Sequence, residues 1–245
     1  CAACIHFHKN NLKVGHSCIL DPLATGVLFG CIGKATKLAE TLQKEGKEYL
    51  AGVSFGATTP SYDLEKAIDQ EYPVEGVTEE SVREVLPGFL GGQEQIAPLF
   101  SAKSVDGVRA YELARKQYRE AHKEKTDVMT DFDHTVAETL NKQIINISGM
   151  ELISFFPNGK ESGPELSDEG LRPNPRINVV DTSALHLPLA MIRIKCSKGT
   201  YIRALARDLG EALGSGAHLN SLERTKSGGF TVGNCLSVNE VISVL

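Results

Sequence analysis

The sequence predicts an α+β protein in which helices and loops flank a mixed, mostly antiparallel sheet. Two segments, Glu48–Phe55 and Met191–Cys196, alternate in polarity with the period of a strand. A third segment, which starts after Tyr201, carries apolar residues at helical spacing until Gly214, where the helix is expected to end. Because these patterns follow one another without the regular cadence of βαβ units, the strands are expected to pair mainly antiparallel.

The other elements follow from local patterns along the chain. The apolar run from Val27 to Ile32 is typical of a buried strand, and Lys34–Lys47 has helical spacing with Gly46 as a plausible stop. Thr78 is a good helix N-cap, because acidic residues follow it in the first turn, where the helix dipole favours them. The sequence Val105-Asp-Gly-Val predicts a turn before a short helix that carries Ala110, Tyr111, Leu113 and Ala114.

Length and composition indicate an ordinary globular chain. It has 245 residues, of which 41% are hydrophobic and 23% are charged. Since no apolar run reaches about 18 residues, a transmembrane helix and a membrane partner are not expected. Residues 1–12 are interpreted as a truncated or non-family N-terminal segment. An intracellular protein is expected, with the cytoplasm as its compartment, although a removed organelle signal stays open.

Charge and cysteine patterns leave two binding questions open. The net charge is −5, but seven basic residues face only three acidic ones between Met191 and Phe230. One basic face on an acidic body is therefore as good an interpretation as ordinary solvated charge. The pair Cys1-x-x-Cys4 has metal-like spacing, yet no second pair follows. Because structural zinc sites use four ligands in paired groups, no metal site is predicted.

Asp21 is the first candidate for chemistry. Pro22 follows it, and Gly15 and Gly26 bracket the segment with flexible backbone. A carboxylate held on such a loop can act as a nucleophile or a general base. The alternative, which the residues alone favour, is a turn aspartate that accepts a hydrogen bond from its own backbone. His16 offers a similar choice between a general base and a hydrogen-bonding loop residue.

A second candidate cluster is Lys198-Gly-Thr-Tyr-Ile-Arg203, at a predicted strand-to-helix turn. A helix N-terminus favours an anion, and Arg203 and Arg207 share one helix face. The alternative is a plain helix start with exposed arginines. Tyr49 by itself indicates only an aromatic residue of a strand in the core. No Walker-type phosphate loop is present in the sequence.

Read in order, these segments resemble the TruB type of tRNA pseudouridine synthase. The resemblance starts in the signature loop, where Lys13-Val-Gly-His-Ser-Cys-Ile-Leu-Asp-Pro-Leu-Ala-Thr-Gly26 holds Asp21. It extends collinearly to about Phe230. The further matching motifs are Gly33-Lys-Ala-Thr-Lys37, Lys47-Glu-Tyr49, Phe55-Gly-Ala-Thr-Thr-Pro-Ser-Tyr-Asp63, Pro98-Leu-Phe-Ser-Ala-Lys103, Arg109-Ala-Tyr-Glu-Leu-Ala-Arg115, Cys196-Ser-Lys-Gly-Thr-Tyr-Ile-Arg203, and Ala206-Arg-Asp-Leu-Gly with Gly216-Ala-His-Leu, Leu222 and Arg224.

The resemblance implies the pseudouridine synthase fold and an isomerase that acts on the T-loop uridine of tRNA at position 55. Such an enzyme must flip the uridine out of the folded loop. Asp21 matches the essential catalytic carboxylate and Arg203 matches the arginine that pairs with it. Tyr49 matches the tyrosine that stacks on the flipped base and can move a proton.

The resemblance also implies RNA contacts. Tyr201 and Leu222 match positions that line the pocket, and His16 matches a histidine that holds flipped-out bases. Lys37 and Lys198 are reasonable phosphate contacts. The expected partner is the T-stem-loop of tRNA. No metal or organic cofactor is needed, and the chain is expected to be a monomer.

Departures from the family pattern keep alternatives open. Cys18 replaces a glycine in the signature loop, and the usual N-terminal strand with its Gly-Trp-Thr-Ser-like motif is missing. One alternative is a catalytically impaired RNA-binding or tRNA-folding protein on the same scaffold, and another is a synthase that acts on messenger RNA. Residues 13–245 are interpreted as the catalytic domain, with a variable insertion near 116–188 and no recognisable C-terminal PUA domain. Within that insertion, the Gly- and Pro-rich Phe156–Pro175 predicts a loop.

Overall fold

A seven-stranded sheet organises the computed structural model, which describes residues 13–17, 19–98, 104–105, 108–109, 142–159 and 179–243. In spatial order its strands are β13 (Phe230–Thr231), β12 (Ala217–Ser227), β4 (Lys47–Phe55), β11 (Leu189–Cys196), β10 (Gln143–Phe156) and β7 (Gly91–Gln95), and β2 (Ala24–Gly26) pairs with β12 off this path. The predictions for residues 1–12, Cys18, the helix after Arg109 and most of 116–188 lie outside the described residues.

Three two-stranded ribbons and four α-helices complete the described part of the chain. The ribbons are β1 (Val14–His16) with β3 (Gly30–Ile32), β5 (Ala57–Thr58) with β6 (Gln70–Glu71), and β8 (Ser104–Val105) with β9 (Val108–Arg109). The helices are α1 (Ala39–Lys44), α2 (Glu79–Val85), α3 (Ile202–Ala212) and α4 (Val238–Ser243). None of these helices is long and apolar enough to cross a membrane.

The strand pairing confirms the predicted α+β class with a mostly antiparallel sheet. Every neighbouring pair along the main path is antiparallel. The exception among the described strands is β2, which pairs parallel to β12 with Ala24 opposite Leu222 and Gly26 opposite Arg224. This short parallel pair brings the segment after Asp21 alongside the middle of strand β12.

The core lies between the sheet and helix α3. On β4 the side chains of Tyr49, Ala51, Val53 and Phe55 share one face, because alternate residues of a strand point to the same side. Ile202, Leu205, Ala206 and Leu209 of α3 belong to the same buried cluster. The alternating face of β4 and the apolar stripe of α3, each predicted from its sequence pattern, are therefore the surfaces that these two elements bury.

Helix boundaries agree with the local signals in two cases. The Thr78 hydroxyl accepts a hydrogen bond from the Ser81 N–H at 3.1 Å, so α2 begins with the predicted N-cap. Helix α3 ends at Ala212, and Gly214 follows in the left-handed region with φ +64°.

Two predicted elements are shorter than expected. The apolar run from Val27 forms a strand only over Gly30–Ile32, because the Val27 N–H instead donates to the Arg224 carbonyl at 2.9 Å. The helix expected over Lys34–Lys47 starts as a 3₁₀ helix, Gly33–Leu38, and becomes α1 only from Ala39.

Candidate active site

Asp21 starts a tight turn, but its side chain does not serve that turn. The Ala24 N–H donates to the Asp21 carbonyl at 2.9 Å, and Pro22 and Leu23 lie between them. The Asp21 carboxylate instead accepts two hydrogen bonds from Arg203. The alternative, an aspartate whose side chain bonds its own backbone, is therefore wrong: the backbone turns at Asp21, but the carboxylate takes part in a long-range ion pair.

The Asp21–Arg203 pair is bidentate. The Arg203 Nη2 donates to Oδ1 of Asp21 at 2.9 Å, and Nε donates to Oδ2 at 3.1 Å. Arg203 is 3% exposed, whereas the Asp21 side chain keeps 31% of its surface accessible. Two parallel hydrogen bonds fix the plane of a carboxylate as well as its position. The geometry thus holds an accessible carboxylate in one orientation on a buried cation.

A second carboxylate, that of Asp63, lies on the other side of the same guanidinium. Arg203 Nη1 is 3.4 Å from Oδ2 of Asp63 and donates to the Ser61 carbonyl at 3.2 Å. Oδ1 of Asp63 accepts from the Ser61 hydroxyl at 2.6 Å and from the Glu65 N–H at 2.9 Å. Since Asp63 is only 3% exposed, this carboxylate fixes Arg203 from the protein interior.

Burial and charge act in opposite directions in this triad. Burial raises the pKa of the Asp63 carboxyl, and the neighbouring charge of Arg203 offsets that rise only in part. Burial by itself would lower the pKa of Arg203, but the carboxylates of Asp21 and Asp63 outweigh it and raise the pKa. Arg203 is therefore a permanent cation between two carboxylates.

A shallow, partly open hollow lies beside the ion pair. Asp21 and Asp63 lie in its wall together with the apolar side chains of Leu23, Ala24, Leu219 and Leu222. Asn220 and Ser221 supply polar groups. An apolar wall with a few convergent polar groups is the usual form of a site for one small, flat group.

The structure brings three of the predicted residues together and places two more nearby. Asp21 and Arg203 are in direct contact, and Leu222 lines the hollow with Asp21. Tyr49 is 8% exposed and belongs to the buried cluster that contains Leu222. Tyr201 is half-buried and precedes the first residue of α3.

The residues predicted to contact RNA lie on the surface. His16 is exposed in β1, Lys37 is exposed in the 3₁₀ helix before α1, and Lys198 is exposed in the turn after β11. Among the described residues, no three metal-ligating side chains converge on one point.

Comparison with known proteins decides the family. Residues 6–150 match the model of the "TruB family pseudouridylate synthase (N terminal domain)", and residues 203–245 match the "tRNA pseudouridylate synthase B C-terminal domain". The chain belongs to the TruB family. The tRNA pseudouridine synthase B of Parabacteroides distasonis is 44% identical over 230 residues, which cover 94% of this chain and 77% of that protein. The protein of the same name from Deinococcus radiodurans is 37% identical over 232 residues, 94% of this chain and 69% of the other.

Solved structures support the fold of this TruB-family chain. A Cbf5-Nop10-Gar1 complex contains a chain with a TM-score of 0.54 and 22% identity, and the match covers 94% of this chain and 45% of that one. An archaeal box H/ACA sRNP Nop10-Cbf5 complex gives the same TM-score at 19% identity, with 99% and 48% covered. The pseudouridine synthase fold is thus confirmed.

Asp63 is the site residue of the TruB-family chain that the list of candidates missed. The sequence carried one signal for it, because Asp63 closes the family-like motif that starts at Phe55. The residues alone give no reason to select it among 31 acidic residues. Its importance follows from burial and from its distance to Arg203, which lies 140 positions further along the chain.

A cation–π contact supports the turn that carries Asp63. Tyr62 has a positive φ of 60°, which is strained for a bulky side chain, and the guanidinium carbon of Arg207 is 5.1 Å from the centre of its ring. The Tyr62 carbonyl accepts a hydrogen bond from the Leu219 N–H at 2.9 Å. Arg203 and Arg207, one helical turn apart on α3, therefore hold consecutive residues of one turn.

Proposed function

We propose that the chain isomerises the T-loop uridine at position 55 of tRNA to pseudouridine, with Asp21 as the catalytic carboxylate. The observation that supports this most strongly is the bidentate Asp21–Arg203 pair at the edge of a shallow, largely apolar hollow. The relatives named tRNA pseudouridine synthase B, at 37% to 44% identity, support the substrate class.

The reaction breaks the carbon–nitrogen glycosidic bond of uridine and joins the same sugar carbon to a ring carbon of the uracil. Asp21 acts at the sugar in the step that breaks the glycosidic bond. Its two hydrogen bonds to a buried arginine fix the attacking oxygen, and such positioning can supply a large part of a rate enhancement. The uracil stays in the hollow, turns over and rejoins through carbon.

The flipped base has apolar and aromatic neighbours in this proposal. Leu222 and Leu219 lie in the wall of the hollow and exclude water from the detached uracil. Tyr49 stacks on the base and moves a proton, while Tyr201 lines the approach to it. Unstacking a base costs a few kcal/mol, so these contacts offset the cost of flipping.

The remaining assignments concern the RNA and the cell. His16 holds flipped-out bases, and Lys37 and Lys198, both exposed, contact phosphates of the T-stem-loop. Residues 13–245 act as the catalytic domain in this proposal, and the protein works as a monomer in the cytoplasm.

Turnover of an unmodified tRNA transcript, mapped chemically for pseudouridine, tests the proposal. We expect the wild-type chain to form pseudouridine at position 55, and Asp21→Asn to lose all turnover while it still binds the T-stem-loop. The matched control is Asp181→Asn, because the carboxylate of this exposed aspartate accepts a hydrogen bond from the Ser183 N–H, outside the Asp21–Arg203 pair. Full activity of Asp21→Asn would contradict the assignment.

The two alternatives give different results in the same assay. If the wild type binds the T-stem-loop but makes no pseudouridine, the chain is an RNA-binding protein on this scaffold. If messenger RNA fragments compete better than tRNA as substrates, the substrate class is wrong although the chemistry is right.

A further inference from the structure

Arg224 is a buried cation that the proposed mechanism does not use. It is 2% exposed, and its Nε donates to the Val27 carbonyl at 2.7 Å. Its Nη2 is buried and has no hydrogen-bond partner among the described residues. Burying a guanidinium with so few partners is costly, so packing alone does not explain an arginine here.

The contacts of Arg224 converge on the end of the catalytic loop. Val27 gives both of its backbone polar groups to this one residue, since its N–H donates to the Arg224 carbonyl at 2.9 Å and its carbonyl accepts from Nε at 2.7 Å. Val27 is itself 1% exposed. The residue that follows β2 is therefore held by the main chain and the side chain of Arg224 together.

Gly26, the last residue of β2, also lies very close to Arg224. It lies opposite Arg224 in the parallel pair and has a φ of +101°, a region that residues with a Cβ rarely adopt. A Cβ at Gly26 would overlap the backbone of Arg224. Close approach to this one strand residue thus restricts position 26 to glycine.

These contacts reach Asp21 through a short, fully held piece of chain. The turn from Asp21 is closed by the Ala24 N–H, and Ala24–Gly26 then pairs with Leu222–Arg224. Backbone hydrogen bonds therefore close the turn between Asp21 and Ala24 and fix Ala24 to Val27 on β12. A shift of Val27 would therefore move the Asp21 carboxylate relative to the hollow.

We propose that Arg224 is a positioning residue, which holds the end of the catalytic loop on β12 so that Asp21 keeps its place between Arg203 and the hollow. This inference rests on the proposed function, because it concerns the rate of the step that Asp21 performs. Displacements of about an ångström at a reacting group can lower a rate by about a hundredfold.

Three variants test the proposal by multiple-turnover kinetics on unmodified T-stem-loop RNA. Arg224→Met keeps the apolar stem and removes the donor; we expect kcat to fall roughly 10- to 100-fold while KM and RNA affinity change less than about threefold. Arg224→Lys keeps a charged donor and should recover part of the lost kcat. Gly26→Ala disturbs the same contact from the loop side, by overlap with the Arg224 backbone, and leaves the Arg224 side chain chemically unchanged; it should give the same loss confined to kcat.

Matched controls separate positioning from general damage. Gly30→Ala adds a methyl group to open space four residues further on, and Arg83→Met removes an exposed arginine from α2, so both should keep wild-type kcat. If Arg224→Met does not fold, Arg224→Lys and Gly26→Ala decide the question by themselves.

The outcomes distinguish this inference from the proposed function. No turnover by the wild type removes the proposed function and, with it, the basis of the inference. Active wild type with kcat unchanged in Arg224→Lys and Gly26→Ala overturns the inference alone. A loss that appears in KM rather than kcat, or no advantage of lysine over methionine at position 224, also overturns it.

Discussion

Arg203 serves two carboxylates with a single positive charge. Asp21 takes two hydrogen bonds from the guanidinium, and Asp63 lies 3.4 Å from its third nitrogen. Asp63 is 3% exposed, so its ionised carboxylate loses most of its hydration, which is unfavourable. The Asp21 carboxylate is more accessible and loses less. A buried charge beside this ion pair is best explained by the orientation that it gives to Arg203.

Asp63→Asn should slow catalysis without weakening RNA binding. The amide keeps the shape of the side chain but attracts Nη1 of Arg203 less strongly, so the guanidinium becomes free to rotate away from Asp21. We expect kcat to fall by about tenfold at unchanged KM in multiple-turnover assays. Asp69→Asn is the control, because Asp69 accepts a hydrogen bond from Thr58 on the same segment of chain. Equal rates for Asp63→Asn and wild type would remove Asp63 from the positioning network.

The pH dependence of stability gives an independent check on Asp63. Burial raises the pKa of this carboxyl above 3.8, so on acidification the folded state takes up its proton before the unfolded state does. In that window the free energy of unfolding of the wild type should therefore rise, relative to Asp63→Asn, as pH falls. Denaturant titrations at a series of acidic pH values measure the difference. A relative fall would mean that Arg203 holds the pKa of Asp63 below 3.8.

The sequence predicts some site residues and misses others for a physical reason. Asp21 and Arg203 stand in motifs whose neighbours mark a loop and a helix start, so each is visible locally. Asp63, Arg224 and Gln95 gain their importance from contacts across more than 100 positions of the chain. No spacing rule brings such pairs together, because the fold that joins them is set by the pairing of distant strands.

At the scale of elements, two glutamines connect the edge of the sheet to the start of α3. Gln95 of β7 and Gln143 of β10 face each other in the antiparallel register. The Gln95 amide donates to the Tyr201 carbonyl at 3.0 Å and accepts from the Tyr201 N–H at 2.9 Å. The Gln143 amide donates to the Gly199 carbonyl. The backbone two residues before Arg203 is thus tied to two strands.

Gln95→Met should loosen the first turn of α3. Methionine has a similar length but can neither donate to nor accept from Tyr201, whose half-buried peptide then lacks these partners. We expect the Leu205 amide, which donates to the Tyr201 carbonyl at 3.1 Å, to exchange its hydrogen about tenfold faster, with a smaller kcat.

Gln93→Met is the matched control for this exchange measurement. Gln93 lies on the same strand, and its amide bonds the Phe89 carbonyl only four residues away. Its substitution should leave the Leu205 amide unchanged. Similar exchange rates in both variants would show that α3 is fixed by its apolar face alone.

Elements with a strong period were predictable, and elements that depend on a partner were not. Strand β4 and helix α3 follow from alternation and from the helical stripe, because each buries one regular face. The segment from Val27 has apolar residues throughout, yet only Gly30–Ile32 forms a strand. Its first residue, Val27, is hydrogen-bonded to Arg224, and no local sequence pattern predicts that contact.

At the scale of the whole molecule, one long connection brings Asp63 to the site. After β4 the chain runs over the start of β12, where the Leu219 N–H donates to the Tyr62 carbonyl at 2.9 Å. His218, on the opposite face of β12 from Leu219, bonds the Ala57 carbonyl through Nδ1 at 2.9 Å. The segment is therefore attached to β12 by two adjacent residues, one of which carries a titratable group.

This attachment should make the fold sensitive to mild acid through His218. The side chain is fully buried, its Nε2 has no partner among the described residues, and burial lowers its pKa below 6.5. Below that pH the unfolded chain binds a proton that the folded chain does not, so stability is lost as pH falls. In denaturant titrations between about pH 7 and 5, we expect the free energy of unfolding to fall more steeply for the wild type than for His218→Gln.

His186→Gln, which changes an exposed histidine, should follow the wild type. Parallel curves for wild type and His218→Gln would show that His218 accepts its proton in the folded state, and that the contact with Ala57 survives protonation.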